Sequence, residues 1–149
     1  MFNESALSDY GIIILTETWL NDSVHDSEIF VSKYSVIRAD RKYDLLNKSR
    51  GGGVLIAFNQ SIHFEVLPLS KFADWPIPSS IDLLIVKVIF CNVKFYLIAT
   101  YVPPDVNNND YELFFDSLSN IIFSLNSKVL IVGDFNISKY LPGSTVSSD

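Results

Sequence analysis

Two long β-rich runs, residues 81–90 and 94–101, face each other across Cys91-Asn92-Val93 and constrain the fold more than any other feature of the chain. They are rich in Val, Ile, Leu, Phe and Tyr, contain no proline and are separated by a break too short for a crossover. This pattern predicts an antiparallel hairpin. Lys87 and Lys94 interrupt the apolar stretches, and no apolar run reaches the length of a membrane span. Shorter runs predict further strands at 11–16, 34–39, 52–58, 62–69 and 129–132. Residues 72–80 contain Pro76 and Pro78 and read as a connection. Residues 17–26 read as a polar loop anchored by Trp19 and Leu20, and 40–50 as a charged loop. One helix is expected after Pro103-Pro104, where Tyr111, Phe114, Phe115, Leu118, Ile121, Ile122 and Leu125 recur at helical spacing. Asn109, three residues before Glu112, suggests its capping box.

Strands therefore outnumber helices, which favours an α/β layered fold with largely antiparallel sheets. The chain has 149 residues, enough for one domain, with a polar tail at 138–149. Its hydrophobic fraction of 48% allows a substantial core, and a charged fraction of 19% implies more buried sheet than solvated surface. Cys91 is the only cysteine, which excludes an internal disulfide and a cysteine zinc site and points to a reducing, intracellular compartment. The opening residues lack the basic start and apolar core of a secretory signal. A net charge of −6 argues mildly against tight, unaided nucleic-acid binding. It does not exclude a nuclease, because an acidic metal site carries negative charge of its own.

Two places carry chemistry. Ile12-Ile13-Ile14-Leu15 runs into Thr16-Glu17-Thr18-Trp19, and Val129-Leu130-Ile131-Val132 runs into Gly133-Asp134-Phe135-Asn136. In each, a buried strand ends in a polar cluster with a carboxylate. Central strands hold their ends rigidly, so neighbouring strands would present Glu17 and Asp134 in one cleft. Hard oxygen ligands of this kind suit Mg²⁺, which takes one or two carboxylates and keeps several waters. Either acid alone reads more simply as a turn or cap residue, and Gly133-Asp134 is an ordinary turn dipeptide. The combination outweighs that reading.

Thr-Glu-Thr-Trp-Leu around Glu17, Arg50-Gly51-Gly52-Gly53-Val54, Thr100-Tyr101-Val102-Pro103-Pro104 and Gly133-Asp134-Phe135-Asn136 occur in this order. Together they resemble the endonuclease/exonuclease/phosphatase superfamily, in wording nearest to endonuclease domains of jockey-type non-LTR retrotransposons. The resemblance runs from about Leu7 to Ile137. It implies a DNase I-like α/β-sandwich of four layers, with two mostly antiparallel sheets. It also implies Mg²⁺-dependent hydrolysis of a phosphodiester, with Mn²⁺ as the substitute metal, DNA as substrate, a nuclear location and an associated reverse transcriptase. Glu17 matches the metal-binding glutamate, and Asp134 shares the metal and positions the nucleophile. Tyr101 matches the tyrosine against the scissile phosphate, and Asn136 matches the asparagine that contacts it.

Arg38, Arg41 and Arg50 flank the charged loop. Arg41 and Arg50 are candidate nucleic-acid contacts, although solvated loop charge is the simpler reading of each. Tyr101 is also open to a plain packing role. The glycines at 51–53 either let a backbone approach a ligand or open a strand. His25 and His63 match no motif and read as surface residues.

The resemblance further implies a first strand bearing an asparagine and a closing Ser-Asp-His-type motif. Few residues precede Glu17, and no histidine follows His63. The expectation is a single partial domain, an incomplete sandwich whose activity alone is doubtful. Two alternatives remain: another branch of the superfamily, such as an inositol-phosphate phosphatase or a sphingomyelinase-like hydrolase, and a non-catalytic retrotransposon remnant.

Overall fold

The computed structural model describes residues 10–30, 33–41 and 51–137. Arg50, most of the charged loop and the polar tail at 138–149 lie outside the described residues.

The elements in chain order are β1 (Ile12–Thr16), α1 (Asp26–Ile29), β2 (Tyr34–Ala39), β3 (Val54–Asn59), β4 (His63–Leu67), β5 (Asp82–Phe90), β6 (Val93–Tyr101), α2 (Asn108–Leu125) and β7 (Val129–Asp134). They form a three-stranded sheet of order β1-β3-β2 and a four-stranded sheet of order β4-β5-β6-β7. Every pairing is antiparallel except β6 with β7. Parallel neighbours need a long crossover, and α2 supplies it.

The hairpin read from the sequence is β5–β6. It pairs in register from Asp82 opposite Tyr101 to Phe90 opposite Val93. Its turn is Cys91-Asn92, with φ of 48° and 62°, the left-handed pair whose twist matches that of the strands.

The period of two along each strand builds three apolar clusters. Val54, Ile56 and Phe58 of β3 meet Leu84, Val86, Val88, Leu97, Ala99 and Tyr101 between the sheets. The alternate residues of β3, Leu55 and Ala57, face outward to Ile13, Phe30 and Tyr34. On the far face of the larger sheet, Leu83, Ile85 and Ile98 take Phe114, Leu118 and Ile121 of α2. β3 is buried on both faces, which explains its unbroken apolar run.

The cap of α2 differs from expectation. Asn107, in extended backbone, accepts from the Asp110 N–H at 2.8 Å, so the helix starts ahead of Asn109. The stretch expected as loop up to Asp26 gives way to the single turn of α1, opened by His25.

Candidate active site

β1, β6 and β7 all stop at the same end of the layer between the sheets. Glu17 follows β1, Tyr101 closes β6, Asp134 closes β7, and Asn136 lies two residues beyond. In the parallel register of β6 and β7, Tyr101 lies directly opposite Asp134. The Tyr101 hydroxyl donates to Glu17 Oε1, joining the two sheets. The Val102 N–H donates to the Asp134 carbonyl at 2.8 Å. Asn136 Nδ2 donates to the Val102 carbonyl at 2.8 Å, and the Asn136 N–H donates to Asp134 Oδ1 at 3.1 Å. Asn136 takes φ 47°, a conformation asparagine tolerates better than most residues.

Gly133 explains how β7 can lie so near β6. A β-carbon there would run into the Thr100 carbonyl on the neighbouring strand. The Gly-Asp pair is thus a close-packed strand end that presents Asp134, which is itself exposed.

Tyr101 is 3% exposed. Burial pushes its phenol well above the usual range, and the bond to Glu17 and the charges of Glu17 and Asp134 add to that shift, against the opposing Arg41. Tyr101 is therefore a neutral hydrogen-bond donor at any ordinary pH.

Glu17 sits in a strained loop. Glu17 and Trp19 have φ of 53° and 55°, and the Trp19 N–H donates to the Gly52 carbonyl at 3.0 Å. Gly52 and Gly53, at φ 81° and 92°, supply the other side of this contact. A β-carbon on Gly52 would strike the Arg41 guanidinium and the Asp82 carboxylate, and one on Gly53 would strike Thr18 Oγ1. What approaches this glycine backbone is the chain's own side chains. Trp19 is 53% exposed, so the backbone anchors the loop and the indole does not, contrary to expectation.

Arg41 is 6% exposed and lies beneath the site rather than on a solvated loop. Its Nη2 meets Asp82 Oδ2 at 2.6 Å and the Ser80 carbonyl at 3.2 Å, its Nε reaches the same carboxylate at 3.1 Å, and its guanidinium carbon stands 5.3 Å from the centre of the Tyr101 ring. The Gly53 N–H donates to Asp82 Oδ2 at 2.8 Å. Arg38 is taken up by Asp26 and Asp40. Burial pushes the Asp40 carboxyl up against the opposing pull of Arg38. His25 opens α1 and is exposed, and His63 lies at the far end of β5 from Asp82, opposite Ile89.

Asp82 escaped the sequence reading. One signal was available: it is the only acid in the run 81–90, and an acid inside an apolar run must find a partner.

Glu17 and Asp134 offer hard oxygens of the kind and number that Mg²⁺ takes while keeping waters. Among the described residues no cluster of three or more His, Cys, Asp or Glu could hold a metal. No helix among them is long and apolar enough to cross a membrane.

No protein-family model matches the sequence, and no curated protein does. Solved structures do match. The endonuclease domain of TRAS1, a telomere-specific non-LTR retrotransposon, aligns at 14% identity and TM-score 0.58 over 89% of this chain and 50% of that one. D. rerio TDP2 complexed with a single-strand DNA product aligns at 18% identity and TM-score 0.53 over 88% and 50%. ANGEL2, a 2′,3′-cyclic phosphatase, in complex with adenosine-2′,3′-vanadate, aligns at 15% and 0.59 over 94% and 43%. The chain spans about half the length of the solved structures it matches.

Proposed function

We propose that this chain, which has the DNase I-like fold of the endonuclease/exonuclease/phosphatase superfamily, belongs to a metal-dependent phosphodiesterase that nicks DNA, the endonuclease of a non-LTR retrotransposon acting in the nucleus. One observation carries the reading. The ends of β1, β6 and β7 meet so that Tyr101 bonds Glu17 and lies in register with Asp134, while Asn136, two residues beyond Asp134, is pinned to Val102.

The residue types support phosphodiester chemistry. Glu17 and Asp134 would hold Mg²⁺ or Mn²⁺, which when bound supplies Lewis-acid stabilisation of charge on a phosphoryl oxygen. The neutral Tyr101 phenol orients the Glu17 carboxylate. Asn136 spends one amide hydrogen on Val102, and its second donates to a phosphate oxygen without repelling it. Asp134, open to solvent, accepts the proton of the attacking water. The water oxygen then bonds phosphorus as the bond to the leaving sugar oxygen breaks, and that oxygen takes up a proton from solvent. The TRAS1 and TDP2 likenesses support DNA as the substrate, and the ANGEL2 likeness keeps smaller phosphoesters in view.

A second reading is a non-catalytic remnant with the same fold. Nicking of supercoiled plasmid separates the two. The expected result is metal-dependent conversion to open circles, reduced about 100-fold or more by Asp134→Ala. Folded protein that leaves the plasmid intact in both Mg²⁺ and Mn²⁺ would refute catalysis by this chain.

A further inference from the structure

The active-site chemistry leaves one buried pair unexplained. Arg41 and Asp82 have side chains 3% and 8% exposed, and they bond at 2.6 Å in the apolar layer between the sheets. Taking two charges out of water is expensive, and such a pair seldom adds net stability over apolar residues of similar size. Its position suggests what it does.

Asp82 opens β5 directly opposite Tyr101 on β6, and its carbonyl accepts from Thr100 Oγ1 at 3.0 Å. Its carboxylate receives the Gly53 N–H, and the Gly52 and Gly53 carbonyls receive the N–H groups of Trp19 and Thr18, the two residues after Glu17. Arg41 lies against the Tyr101 ring. The contacts close a ring: Glu17 to Tyr101, Tyr101 to Arg41, Arg41 to Asp82, Asp82 to Gly53, and Gly53 back to the loop that carries Glu17.

We propose that the Arg41–Asp82 pair is a positioning device that fixes both ends of the Tyr101–Glu17 bond, the phenol through Arg41 and the glutamate loop through Asp82 and Gly53. The planar fork matters. Arginine gives Asp82 two donors from one rigid plane and lays that plane near the Tyr101 ring, and lysine can do neither. Glycine is required at 52 because the guanidinium and carboxylate fill the space a side chain would take.

The inference rests on reading Glu17 as a metal ligand, so the test has two arms. In the first, the full chain is labelled with ¹³Cζ-tyrosine, and the Tyr101 resonance is assigned by its loss in Tyr101→Phe. Arg41→Lys and Asp82→Asn should move that resonance, while Lys87→Met, which removes the exposed pair with Glu65, should not. In the second, Mn²⁺ affinity is measured. Arg41→Lys should weaken it roughly 10-fold, as losing support for a metal ligand does, and should add nothing in a Tyr101→Phe background. An unmoved Tyr101 resonance in folded Arg41→Lys overturns the positioning role, and so do additive losses of affinity. A wild-type chain that binds no Mn²⁺, with the resonance still moving, overturns the metal reading and leaves the positioning role standing.

Discussion

Tyr101 shows how far a residue's neighbours decide its chemistry. Its resemblance to an active-site tyrosine was readable from Thr-Tyr-Val-Pro-Pro, but its state was not, because burial and Glu17 set it. An unfolded tyrosine ionises near pH 10. Tyr101 ionises above that in the fold, so its contribution to stability is whole below about pH 10 and is lost as pH climbs toward the folded value. Chemical denaturation at stepwise higher pH should therefore show an alkaline decline that Tyr101→Phe flattens, and an unchanged decline would contradict the buried neutral phenol. Arg41 is a related case. It stands in a charged stretch, and its partner Asp82 lies some forty residues away, so only the folded chain reveals the pairing. Glu17, Asp134 and Asn136 could be named from their motifs, yet each motif alone read as well as a turn.

Elements were readable wherever period and turn chemistry agreed. The β5–β6 hairpin and the apolar face of α2 follow from alternation and from helical spacing. The α2 cap fell two residues early, because three consecutive asparagines, Asn107, Asn108 and Asn109, offer equivalent caps and only the geometry selects Asn107. The Cys91-Asn92 turn has two left-handed residues where Asn-Gly would be preferred. The double change Cys91→Asn with Asn92→Gly should raise stability by roughly 1 kcal/mol, measured as a higher urea midpoint. A lowered midpoint would mean the turn is held by something other than backbone preference. Gly133 is the opposite case. Gly133→Ala should push β7 away from Thr100 and lower the thermal midpoint sharply, and a tolerated alanine would contradict the close β6–β7 approach.

The whole molecule is two sheets joined face to face, with the site where their strands end. The layered α/β class followed from strand count and composition. The pairing order β1-β3-β2 did not, because local pattern says nothing about which strands lie side by side. Phe58 sits fully buried in the joint and stacks on Phe64 at 4.2 Å. Phe58→Ala should cost about 3–5 kcal/mol, read from denaturant unfolding; a loss under 1 kcal/mol would mean the sheets do not depend on this contact. Because Glu17 comes from one sheet and Asp134 from the other, anything that loosens the joint should also separate the two carboxylates. Calorimetric titration of the full chain with Mg²⁺ tests that shared site most directly. Glutamine at 17 still accepts from Tyr101, so Glu17→Gln removes charge with little change of fold. One saturable heat is expected, lost in Glu17→Gln and lost again in Asp134→Asn; a heat that survives either change would contradict a cation site shared by the two sheets.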